Sequence, residues 1–156
     1  MAVDMFIKFD GIQGDKPQGE IEIDSFHWGV TQTATLAAGG GGGASKPQFQ
    51  DFHFVSQVSK ASPKLFLRCA DGEHIKEATL TCRKAGGDQQ PLAFLVVKMN
   101  DVLVSSFQQS GNGDFPTESI SLNFAKVDFT FIPQDLTGKL LPAVSAGWDI
   151  RANKKQ

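Results

Sequence analysis

Tyrosine is absent from this chain of 156 residues, although thirteen phenylalanines are present. Large apolar rings without a hydroxyl suit dry surfaces, in a core or at a protein interface, and argue against a pocket that reads a sugar or nucleobase by hydrogen bonds. Cysteine is scarce as well. Cys69 and Cys82 are too few for a disulfide framework or a metal site, and they read as small buried hydrophobes. The longest apolar run, Leu92 to Val97, is six residues, whereas a membrane-spanning helix needs about 20. The sequence therefore predicts no spanning helix. Nor do the first ten residues read as a secretory leader, because Asp4, Lys8 and Asp10 interrupt the apolar positions, so any export is expected to follow another route. With 15 Lys+Arg against 17 Asp+Glu the net charge is -2, which offers no electrostatic footprint for nucleic acid or anionic lipid.

What the chain does contain is period-2 alternation. Val3, Met5, Ile7 and Phe9 share one face, opposite Asp4, Lys8 and Asp10, and predict a half-buried first strand. Ile21 and Ile23 then give way to Phe26, Trp28 and Val30, a change of phase that predicts a β-bulge near Asp24 and Ser25. The same break recurs where Ile120, Leu122 and Phe124 pass to Val127, Phe129 and Phe131, with the shift at Ala125 or Lys126. Further strands are expected at Phe49 to Val55, Glu77 to Arg83, Leu92 to Val104 and Gly147 to Arg151, with turns at Ala85 to Gln90 and Ser110 to Asp114. One helix is signalled, with Ser62 as N-cap, Pro63 in the first turn, Leu65, Phe66 and Cys69 as the apolar stripe and Gly72 at the left-handed C-terminal position. Long bulged strands with one short flanking helix predict a mainly all-β fold, a curved two-sheet β-barrel forming a single domain over residues 1–156.

The run Gly39 to Gly43 lies inside Thr33 to Pro47, which reads as a protruding loop or arm rather than a linker, because the residues before it are too few to bury a core. It is no phosphate cradle. Ala44, Ser45 and Lys46 run into Pro47 and a strand, where a P-loop needs Gly-Lys opening a helix, and Ala44 breaks the dinucleotide glycine pattern. His27, His53 and His74 show no metal-ligand spacing, and His53 and His74 read as solvent-facing. There is no nucleophile elbow, and Glu20 with Glu22 or Asp114 with Glu118 sit beside turns. No catalytic residue, metal ligand or cofactor is assigned. The surplus is apolar strand: ten of the 13 residues from Leu92 to Val104 are apolar, so both faces of that strand are expected to be covered, one by the core and the other by the helix or a second subunit.

Several segments together resemble the haemolysin-coregulated protein (Hcp) family of type VI secretion. They are Met1 to Lys8, Ile23-Asp24 with Trp28 to Gln32, Gly39 to Gly43, Gln50-Asp51-Phe52, Arg83-Lys84-Ala85-Gly86-Gly87, Val102 to Ser106, Leu122-Asn123-Phe124-Ala125 and Gly147 to Ile150, in order over nearly the whole chain. The resemblance implies a non-enzymatic subunit of the inner tube. Its hexameric rings would stack into a hollow tube driven by a contractile sheath, tipped by a spike protein and loaded with effector proteins in its lumen. Such a subunit would be cytoplasmic until firing and then extracellular, with no cleaved signal peptide, and would engage neither nucleic acid nor membrane.

A ring closes through heterologous contacts. Leu95, Val97, Met99 and Val102 are the expected subunit-interface strand, and Leu36, Gly39, Gly40, Gly41, Gly42, Gly43 and Lys46 the expected contact loop. His27, Gly29 and Thr31 oppose Phe26, Trp28 and Val30, so they either line the lumen or form an ordinary exposed strand face. Two other readings stay open: a small β-barrel hydrolase or ligand-binding module with a fold-assembled histidine and carboxylate, and a phage tail-tube protein.

Overall fold

A computed structural model describes residues 3–33, 45–84 and 92–156. The first alternating segment forms β1 (Val3–Phe9), followed by β2 (Ile21–Ile23), β3 (Ser25–His27), β4 (Val30–Thr31), β5 (Gln48–Phe49), β6 (Phe52–Gln57), α1 (Ser62–Asp71), β7 (Ile75–Lys84), β8 (Leu92–Ser110), β9 (Thr117–Phe131), β10 (Val144–Asp149) and β11 (Lys154–Lys155). Among the described residues the fold is mainly β with one short α-helix, as the alternation predicts. All pairings are antiparallel: β1 joins β7, β7 joins β8, β8 joins β9 and β9 joins β6. The pairing then returns toward β1, because β6 takes β3 while β2, just ahead of it, pairs with β1. Asp24 separates the two halves and donates its N–H to Val55 O at 2.7 Å. The irregularity expected at Asp24 is thus the corner at which one segment changes neighbours.

The core lies inside this curl, where Ile7, Phe9, Phe52, Phe54, Leu80, Val97, Met99, Val102, Ile120 and Leu122 are sealed from solvent. The phase change in β9 falls where the sequence places it: Phe124, Ala125 and Val127 are all buried. Its cause lies in both strands. Opposite Ala125, Asp101 of β8 has a positive φ of 54°, so β8 switches from Val97 and Met99 to Val102 and Val104 at the same level. Asp tolerates this left-handed region better than most residues, and the freed Ala125 carbonyl accepts the Ile150 N–H at 2.9 Å.

The apolar density of Leu92 to Val104 therefore arises in large part because the inward phase flips midway. Val97, Met99 and Val102 all point into the chain's own core at 0% exposure. This corrects the expectation that they form a subunit interface, since β7 and β9 flank β8 and the chain's own core claims its inner face; Leu95 alone of the four is partly exposed.

The helix ends as expected, with Gly72 at φ 72° donating to Arg68 O at 3.0 Å. Its start differs. Ala61 is the capping residue, and Ser62 instead accepts the Ser59 N–H and donates to the buried Glu118 carboxylate at 2.6 Å. Leu65 faces the core, Cys69 is half-buried, and Phe66 stays largely exposed against the edge of Phe107 at 6.0 Å.

Candidate functional site

Strands alternate their side chains, so burying Phe52 and Phe54 forces His53 to the outer surface. The same logic applies in β3, where Phe26 stacks on Phe52 with ring centres 5.6 Å apart and turns His27 outward. The β3–β6 register sets His27 directly opposite His53, and the β6–β9 and β8–β9 registers continue the row to Ser121 and Ser106. His53 Nδ1 lies 3.0 Å from Ser121 Oγ and Nε2 lies 2.9 Å from Ser119 Oγ, so both ring nitrogens are held. The His27 ring centre is 5.2 Å from that of His53. One step along the same face, Asp51 accepts hydrogen bonds from Ser105 Oγ at 2.6 Å and Asn123 Nδ2 at 3.0 Å. The outcome is a hydroxyl-rich polar wall on the outer side of β3, β6, β9 and β8.

Of the three residues expected to share one face, His27 sits on this wall. Gly29 is half-buried and accepts the Gln50 N–H at 2.9 Å, while Thr31 is exposed on β4, paired with Gln48 in the separate two-stranded ribbon. Lys46 is exposed. Leu36 and Gly39 to Gly43 lie outside the described residues; the flanks of that segment meet where Thr33 Oγ1 lies 3.1 Å from Ser45 Oγ.

His53 faces outward, as the sequence reading has it, but it is half-buried, and two serines of β9 flank it. His74, too, is engaged, 2.7 Å from Asp101 Oδ1, and Arg151 meets the other Asp101 oxygen. The His74 hydrogen bond, with help from Arg151, holds the Asp101 carboxyl below its ordinary range. Burial pushes the Cys82 thiol up, which keeps it protonated and inert.

The outer row and its serines went unread because they depend on register: His53 and Ser121 are 68 positions apart. The alternations Phe52-His53-Phe54 and Ser119-Ile120-Ser121 were the available signals. A serine beside a histidine invites a hydrolytic reading, yet no carboxylate among the described residues is hydrogen-bonded to His53, and both of its nitrogens already have hydroxyl partners.

A second surface is apolar. Phe131 is 46% exposed, and the registers place it between Leu95 on β8 and Val144, itself 66% exposed, on β10. Phe129, 42% exposed, lies on the same side two residues before, its ring 6.1 Å from Trp28. Leu140 and Leu141 are also exposed in the loop leading to β10. Leu95, Phe131 and Val144 are thus neighbours in one apolar row across β8, β9 and β10.

The profile described as Type VI secretion system effector, Hcp, matches residues 6–131. Protein hcp1 of Pseudomonas aeruginosa is 42% identical over 161 residues, covering 98% of both chains. The solved structure of Hcp1 from Salmonella typhimurium superposes with a TM-score of 0.81 at 34% identity over 100% of both chains. A structure titled as a type six secretion system protein gives a TM-score of 0.89 at 29% identity, covering 99% of this chain and 100% of its own. Fold and sequence together define a type VI secretion protein. The chain belongs to the Hcp family.

Proposed function

We propose that this chain is a structural, non-enzymatic subunit of the type VI inner tube, assembling as hexameric rings that stack around an open lumen and carry effector proteins. The carrying observation is the Leu95–Phe131–Val144 row with Phe129, an apolar strip of β8, β9 and β10 that one molecule leaves in water. Burying it against a different surface of the next copy makes a heterologous contact, which closes into a ring when the rotation is right. The segment from Thr33 to Pro47, with Leu36, Gly39 to Gly43 and Lys46, is assigned to contacts with adjacent subunits and rings, since glycines let a segment take its shape on contact. The hydroxyl-rich wall bearing His27 is assigned to the lumen, where hydrated polar groups offer weak, adaptable contacts to a passenger. The subunit then works from the cytoplasm and is expelled with the spike when the sheath contracts.

Negative-stain images of the purified chain test this reading. Annular particles with an open centre are expected; compact particles with no hole contradict it. A His27→Ala chain is expected to keep the ring and change effector retention, and collapse of the ring in that variant contradicts the lumen assignment.

A further inference from the structure

We infer that His27 and His53 form a two-ligand site for a borderline divalent cation of the zinc, copper or nickel class. The inference needs only the single chain and does not rest on ring assembly. The two imidazoles are direct cross-strand partners on the outer wall, with ring centres 5.2 Å apart. With a metal–nitrogen bond of about 2.0–2.1 Å and tetrahedral angles, two imidazoles on one ion place their ring centres about 5 Å apart. The backbone register thus already sets the spacing that chelation requires.

The hydrogen bonds fit the same role. Among the described residues His27 makes no hydrogen bond, so its nitrogens are open to a ligand. His53 has one serine hydroxyl at each nitrogen. A ligating histidine characteristically donates its other N–H to an acceptor, which fixes ring and tautomer. One serine supplies that acceptor; the other, whose oxygen now lies on the second lone pair, is displaced by rotation about its Cα–Cβ bond when the ion binds. Imidazole donors select zinc, copper and nickel over magnesium or calcium.

No group of three His, Cys, Asp or Glu side chains converges among the described residues, so the remaining positions fall to water or to a donor on a molecule lying against the wall. Asp51 is not a third ligand, because Ser105 and Asn123 occupy its oxygens. His74 is a poorer candidate still, since Arg151 beside Asp101 repels a cation.

The test is calorimetric titration of untagged, metal-free full-length chain with zinc chloride, beside His27→Gln, His53→Gln and His74→Gln. Wild type and His74→Gln are expected to bind one ion per chain equally well. His27→Gln and His53→Gln are each expected to weaken binding about tenfold or more. Thermal unfolding in chelator checks that each variant is folded; His27 is exposed, so its variant keeps the test decisive if His53→Gln is unstable. Absence of zinc binding in wild type, retention of full affinity in His27→Gln, or equal loss in His74→Gln overturns the site.

Discussion

Arg83 grips Glu20 with both arms of its guanidinium, Nη1 to Oε1 and Nη2 to Oε2, each at 2.9 Å, while its Cζ lies 4.9 Å from the centre of the Phe6 ring. The bond ties β7 to the turn before β2 across β1, with the Glu20 side chain only 12% exposed. Parallel bidentate contacts of this kind are the strong form of an ion pair. Arg83→Met leaves a mostly buried carboxylate without its partner and is expected to cost about 1.5–3 kcal/mol. Adding Glu20→Gln is expected to recover part of that loss. Urea unfolding at fixed chain concentration measures both, and a single variant as stable as wild type contradicts the assignment.

Met99 and Leu95 lie on the same strand and phase but play different parts. Met99 is sealed in the core, so Met99→Ala is expected to cost about 2–5 kcal/mol through lost burial and the cavity left behind. Leu95 is partly exposed, and Leu95→Ala is expected to act mainly on self-association. Denaturant unfolding compared with sedimentation of both variants distinguishes the two roles; the reverse pattern contradicts the placement of the interface.

Phe131 stands at the centre of the exposed apolar row. A charge there leaves the core untouched and opposes burial against a second copy. Phe131→Asp is expected to keep the wild-type circular dichroism spectrum and to shift elution from an assembled to a single-chain size. Unchanged assembly contradicts the row as an interface.

Asp101 ties the kink of β8 to His74 and to the C-terminal Arg151. Its carboxyl is held below its ordinary range, first by the His74 hydrogen bond, so the contribution is fully present above the ordinary aspartate value of about 3.9. It is lost as pH falls below that value through the folded-state one. Asp101→Asn is accordingly expected to lower stability near neutrality and to flatten its decline on acidification. Thermal unfolding between pH 7 and about pH 3 checks this; parallel curves for the two proteins contradict it.

Many of the strand positions were legible because the long strands bury one face. Val3, Met5, Ile7 and Phe9 show their alternation openly, and the breaks at Asp24 and Ala125 announce themselves as changes of apolar phase. Gly72 and Pro63 likewise bracket the helix. The kink at Asp101 was not legible, because Val96 and Leu103 add apolar residues on the outer phase and hide the switch, so β8 read as one strand apolar on both faces. Ser62 misled for a related reason: its hydroxyl is drawn to Glu118, far away in sequence, rather than to its own helix. The His27–His53–Ser121 row was invisible because a register joining three segments cannot be read from any one of them.

Native mass spectrometry of the purified chain tests the central claim most directly. A dominant species of six times 16.8 kDa, lost in Phe131→Asp, is the expected result. A well-folded species of 16.8 kDa that persists at high chain concentration would contradict the tube subunit.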